Sequence, residues 1–183
     1  MIKTLYHGTN AIFEKFENKY LHTENSLMQY GSGFYFYEEP SQTILHGDLR
    51  VVTKVKINKS IEHTDRWNPT TDDIESLILK SPSLEDRLCN YGDINYEKFD
   101  VVLQRIIDIY TKNGFYINIL NMLGNDFFMP EETHILLSEF TKLTGINCIT
   151  NTKRGIYVIL TKQQIDIQFV VYKQDWEKCN ENI

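Results

Sequence analysis

Leu5-Tyr6-His7-Gly8-Thr9 and, further on, Gly31-Ser32-Gly33-Phe34-Tyr35-Phe36 are the two stretches from which the rest of the chain can be read. Residues 2 to 7 alternate as a short strand that ends at His7-Gly8. Phe13 and Phe16 after it have the spacing of a turn packed on a core. Gly33-Phe34-Tyr35-Phe36-Tyr37 is an aromatic run with strong β preference, opened by glycine. Glu38 to Gly47 then reads as a short helix. Pro40 suits a first-turn position, acids precede it, and Gly47 suits the C-terminal cap. Residues 50 to 57, Arg-Val-Val-Thr-Lys-Val-Lys-Ile, alternate as a half-exposed strand.

After Trp67-Asn68-Pro69 the pattern turns helical. Phe99, Val102, Leu103, Ile106, Ile107 and Tyr110 follow the spacing of one buried helical face, and core packing is the simplest account of that stripe. A second amphipathic helix is predicted from about Pro130 to Leu143, with Ile135, Leu136, Phe140 and Leu143 inward and Gly145 ending it. Asp72-Asp73 and Glu131-Glu132 sit where helix N-termini favour acids and need no catalytic role. Strands return at Ile146 to Thr150, Ile156 to Leu160 and Ile167 to Tyr172. Strands, a helical block over about 66–145, then strands again predict an α+β fold in a single domain, 1–183.

The 183 residues are enough to bury a proper core. No run of about 18 apolar residues is present, so no transmembrane helix is expected. The start carries no apolar signal region. Cys89, Cys148 and Cys179 are odd in number and far apart, which fits a reducing, cytoplasmic compartment better than a disulfide framework. The net charge of −6 argues against a broad phosphate-tracking surface, although Lys153-Arg154 is a candidate local basic site. His22, His63 and His134 lack metal-ligand spacing, so no metal is expected. There is no Gly-x-x-x-x-Gly-Lys loop and no Gly-x-Gly-x-x-Gly, which disfavours P-loop and Rossmann chemistry.

Leu5-Tyr6-His7-Gly8-Thr9 resembles the strand-end motif of the diphtheria-toxin-like and poly(ADP-ribose)-polymerase-like ADP-ribosyltransferases. Gly31-Ser32-Gly33-Phe34-Tyr35-Phe36 resembles their Gly-x-Gly-hydrophobic-Tyr-Phe strand, with Ser41 and Thr43 placed as that family places hydroxyls on the next helix. Gly155 to Ile165 resembles the family's final strand, with Gln164 at the position of its glutamine. The resemblance covers about half the chain, in three short pieces, and leaves the block at 66–145 without a counterpart. It implies a split β-sheet core with an inserted helical block, and NAD⁺ as co-substrate. The catalytic positions are then His7, Tyr35 and Ile156. The last replaces the glutamate of the polymerising members, as in mono-ADP-ribosylating relatives. A competing register puts Gln168 at the acid's position.

On this resemblance the cofactor-binding residues are His7, Gly8, Thr9, Gly33, Tyr35, Ser41, Thr43 and His46. Gly8 lets its backbone approach the nicotinamide carboxamide closely. His7 donates to a ribose hydroxyl. Tyr35 offers its ring to the cationic nicotinamide, a contact of roughly 1–2 kcal/mol when desolvated. Thr43 or Ser41 reaches the carboxamide, and His46 supplies a second stacking face. Glu38 and Glu39 lie near enough in sequence to contribute charge. Ile156 cannot polarise an acceptor, so the acceptor, protein or nucleic acid, brings its own carboxylate or phosphate. Each residue also has an ordinary reading: His7 as a bonded structural histidine, Tyr35 as a core aromatic, Ser41 and Thr43 as helix-start hydroxyls. Two other functions stay open. An NAD⁺-consuming RNA 2′-phosphotransferase shares the His-Gly-Thr motif, but the acidic balance disfavours it. A non-catalytic module would bind a protein partner through the helical block.

Overall fold

Met1 and Ile57 exchange two backbone hydrogen bonds of 2.8 Å, which starts the longest antiparallel ladder among the described residues. From there β1 (Ile2–Thr9) and β3 (Leu49–Lys56) run in unbroken register to Thr9↔Leu49. The computed structural model describes residues 1–18, 21, 30, 32–89, 101, 104, 107–109, 111, 114–172 and 175–176. Gly31 of the aromatic-strand motif, His22, Cys179 and most of the Phe99–Tyr110 stripe lie outside the described residues; of that stripe Ile107 is described, and it is buried.

Among the described residues the remaining strands are β2 (Phe34–Tyr37), β4 (Ser60–Glu62), β5 (Cys148–Asn151), β6 (Ile156–Ile159) and β7 (Ile165–Tyr172). They form one sheet of seven strands in the order β4-β5-β6-β2-β1-β3-β7. Only the β4–β5 pair is parallel. The fold is therefore α+β, and its sheet is continuous rather than split. The nearest thing to a split is the centre, where β1 and β2 share the single register pair Tyr6↔Tyr37.

Residues 38–47 form a 3-10 helix, Pro40–His46, closed by Gly47 at φ 140°. Thr71–Ile78 (α1) starts with a capping box. The Thr70 side chain accepts from the Asp73 amide at 3.1 Å, and the Asp73 carboxylate accepts from the Thr70 amide at 2.8 Å. Asp73 is thus a cap. The chain continues through α2 (Leu84–Cys89) and α3 (Tyr116–Phe127). The helix predicted from Pro130 begins as one 3-10 turn, in which Glu132 accepts from the Met129 amide, and becomes α4 (Thr133–Thr144). Gly145, at φ 74°, ends it as predicted. Leu136 and Phe140 point inward as predicted, but Leu143 is 42% exposed and Leu137 is buried instead.

Leu5, Phe34 and Phe36 of the strands share one hydrophobic core with Ile74, Leu77, Phe127, Leu136 and Phe140 of the helices. Each such fully buried side chain contributes roughly 1.5–3 kcal/mol. Among the described residues, no helix is long and apolar enough to cross a membrane.

Candidate functional site

Hydrogen-bonding direction alternates along an antiparallel strand. Because Met1 exchanges both bonds with Ile57, the odd residues of β1 bond to β3 and the even ones face β2. Tyr6 and Tyr37 are the pair that meets there. The next even residue is Gly8, and the residue that would oppose it is Tyr35, yet the register stops at Tyr6. The Tyr35 carbonyl is instead taken by the His7 ring, with Nδ1 at 2.8 Å. A carbonyl only accepts, so Nδ1 carries the hydrogen. His7 therefore bridges the two strands where their backbone pairing ends.

Phe13, Phe16 and Phe36 surround that ring, with centroids 5.2 to 6.2 Å away. Their desolvation pushes the His7 pKa below its ordinary range, against the opposing pull of the bond to Tyr35. A neutral imidazole whose Nδ1–H is spent has only the Nε2 lone pair left. His7 can accept a hydrogen bond from a hydroxyl; it cannot donate one, which corrects the sequence-based role.

Gly8 faces the Pro40–His46 helix. A Cβ there would lie 2.7 Å from the Thr43 carbonyl oxygen and 2.8 Å from His46 Cβ. The glycine is required by this packing, whatever else its backbone does. The helix is pinned at both ends. Gln42 Nε2 donates to the Arg154 carbonyl at 2.6 Å, and the Glu38 amide donates to Gly155 at 2.8 Å. At the far end Gly47 lies against the Thr9 backbone, closer than any side chain would permit. Thr9 itself accepts from the Ala11 amide at 3.1 Å and closes a turn. Gly33, at φ 155°, leaves no room for a Cβ beside Val158.

Two predicted contacts are already occupied. Thr43 is 1% exposed, donates to the Pro40 carbonyl at 2.7 Å and accepts from Arg50 Nε at 3.2 Å. Its hydroxyl is committed inside the protein and does not reach a ligand. Ser41, on the same helix, is exposed. The His46 ring stacks on Tyr37 at 5.1 Å, with Nε2 2.6 Å from the Tyr37 hydroxyl, so one face of this ring is not available as a stacking surface.

Tyr35 alternates with Phe34 and Phe36, so its side chain leaves the sheet on the face opposite His7. What joins the two is the backbone carbonyl. The Tyr35 hydroxyl accepts from the Tyr30 amide at 3.1 Å, and burial pushes its pKa up to about 12. Tyr30 in turn accepts from Asn151 Nδ2 at 3.0 Å and Arg154 Nη1 at 3.3 Å, which accounts for half of the Lys153-Arg154 pair. Ile156 is half-buried and opposes Tyr37, while Val158 opposes Tyr35. Gln164 accepts from the Thr161 hydroxyl within a short 3-10 turn. Gln168 falls at the register shift of β7, with β3 and β1 between it and β2. Of the two acids after β2, Glu38 pairs with Lys3 at 2.9 Å, and the backbone of Glu39 caps the 3-10 helix through Gln42.

No family model and no curated protein matches the chain. A solved structure, the crystal structure of an anti-CRISPR protein, is 11% identical with a TM-score of 0.38. The alignment covers 92% of this chain and 96% of that one. A likeness of that size is too slight to bear on fold or function.

Three residues that the sequence reading passed over complete the surroundings. Tyr30 ties Tyr35 to β5. Arg50 opposes Gly8 across β1–β3 and is 6% exposed. Its guanidinium carbon lies 5.2 Å from the Trp176 ring, which also packs edge-on against Tyr6 at 5.4 Å. The available signal was the alternation itself. Arg50 shares a strand face with Val52, and arginine is rarely buried without a partner.

Proposed function

We propose that the protein is an NAD⁺-dependent mono-ADP-ribosyltransferase acting on a protein or nucleic-acid acceptor. The observation that supports this reading best is the end of the β1–β2 register at Tyr6↔Tyr37. Beyond it, the Gly8 amide and carbonyl are directed at a strand that no longer pairs with them. An extended residue offers a donor and an acceptor along one edge. A primary carboxamide offers the complementary pair in one plane, so nicotinamide matches the gap. Tyr35 supplies an aromatic ring on one face of the sheet beside this gap, and on the opposite face His7 Nε2 is the acceptor for a ribose hydroxyl.

In the reaction the nicotinamide leaves with the electron pair of its bond to the ribose. The acceptor's nucleophile gives a pair to the same carbon. The chain's part is to hold the ring and orient the sugar. Ile156 provides neither acid nor base, so this reading calls for an acceptor that is already ionised, such as a carboxylate or phosphate. Incubation with labelled NAD⁺ should give product carrying a single ADP-ribose unit. His7→Ala and Tyr35→Ala should abolish labelling while thermal unfolding remains cooperative. Full labelling by both variants would exclude this site.

A second reading is favoured by Ile156 alone: a non-catalytic module that keeps the nucleotide cleft or the fold and binds a partner. Nicotinamide release from bound NAD⁺ separates the two, since the module releases none.

A further inference from the structure

Arg50 is a largely buried cation, 6% exposed, and among the described residues it has no carboxylate partner. A guanidinium has a flat face and two hydrogen-bonding edges. Here the face lies by Trp176, and Nε is held by Thr43 Oγ1 at 3.2 Å. The Thr43 hydroxyl cannot rotate away, because its hydrogen is given to the Pro40 carbonyl. The head group is therefore held in one orientation. Nη1 and Nη2 make no hydrogen bond to any described residue. Among the described residues the sealed, unbonded polar atoms are Arg87 Nε and Thr141 Oγ1, and neither Arg50 Nη is one of them. So the outer edge of the guanidinium reaches the surface. It does so beside Gly8, its cross-strand partner, where β1 leaves β2.

We infer that Arg50 is an anion anchor, and that its outer edge binds the diphosphate of a nucleotide in two parallel N–H···O bonds. The chemistry fits. A fixed planar fork matches phosphate oxygens, and charge-assisted bonds of this kind are the strong ones. A buried, unpaired cation gains more from an arriving anion than an exposed lysine does. The identification of the anion as a dinucleotide's diphosphate rests on the NAD⁺ reading above. The anion site itself does not.

Calorimetry with inorganic pyrophosphate, ADP-ribose and free nicotinamide separates the two claims. Wild-type protein should bind all three. Arg50→Gln should weaken pyrophosphate and ADP-ribose at least tenfold and leave nicotinamide unchanged, while Arg50→Lys should fall between. Should Arg50→Gln fail to fold, the wild-type protein still decides. Its Arg50 Nε–Hε NMR signal, assigned through Arg50→Lys, should shift on adding pyrophosphate. Pyrophosphate binding that is unaltered in Arg50→Gln, or an unmoved signal at millimolar pyrophosphate, overturns the anchor and leaves Arg50 as a strut for Trp176. Nicotinamide binding without pyrophosphate binding also overturns it, while sparing the NAD⁺ reading. Pyrophosphate binding at Arg50 without nicotinamide binding does the reverse.

Discussion

Replacing Gly8 by alanine tests the packing on which the site depends. The added carbon would lie 2.8 Å from His46 Cβ and 2.7 Å from the Thr43 carbonyl oxygen. Carbon atoms at rest are about 3.5 Å or more apart, so the 3-10 helix must retreat by about 0.7 Å. It cannot do so freely, because Gln42 holds it to Arg154 and Gly47 is wedged against Thr9. Overpacking of this kind costs roughly 1–3 kcal/mol. The same retreat lengthens the bond from Arg50 Nε to Thr43, already 3.2 Å, and losing a hydrogen bond to a charged group adds about 1.5–3 kcal/mol. A combined loss of about 2.5–6 kcal/mol lowers Tm by roughly 5–24 °C in a chain of this size. Urea unfolding followed by circular dichroism measures it directly. A Gly8→Ala protein within about 0.5 kcal/mol of wild type, the ordinary surface range, would refute the reasoning.

Gly124 makes the opposite case. It lies inside α3 with Leu136 Cδ2 3.7 Å from where a Cβ would be, an ordinary contact. Gly124→Ala should stabilise by about 0.5–1 kcal/mol, read from the same urea transition. His7 should make stability pH-dependent. Its folded pKa is held below the ordinary 6.5, so below that pH the unfolded chain binds a proton that the folded chain refuses. Stability therefore falls on acidification through 6.5, by at most about 1.4 kcal/mol per pH unit from this group, and is unaffected by it above. His7→Gln should flatten the profile between pH 7 and 5. The Glu62 carboxyl, held below its ordinary 4.5, remains ionised across that range. An identical pH slope in the variant would show that His7 is not the titrating group.

Strands and turns with a clean signal are legible in the sequence. Alternation carried β1, the β preference of the aromatic run carried β2, and Gly47 and Gly145 marked their helix ends. β3 was expected to be half-exposed throughout, but only Lys54 and Lys56 are exposed, because Leu49 to Thr53 are buried on both faces. β4 has three residues, too few for a period to show. α3 begins Tyr116-Ile117-Asn118-Ile119, which alternates like a strand while filling a helical face. The split of the sheet was expected from resemblance, and the structure reduces it to one register pair. At the site, the proximity of His7 to Tyr35 was legible from the motif. The direction of the His7 proton was not, because it is set by a carbonyl 28 residues away in the chain. Nor could Thr43 be known to be committed, since its partner Arg50 arrives from another strand.

The proposed function places nicotinamide in the gap between Gly8 and the Tyr35 strand. A crystal of the protein soaked in nicotinamide, or in a non-hydrolysable NAD⁺ analogue, tests it most directly. The carboxamide should bond to both the Gly8 amide and its carbonyl, with the ring against Tyr35. A ring bound elsewhere, or an empty gap at saturating nicotinamide, would contradict the account.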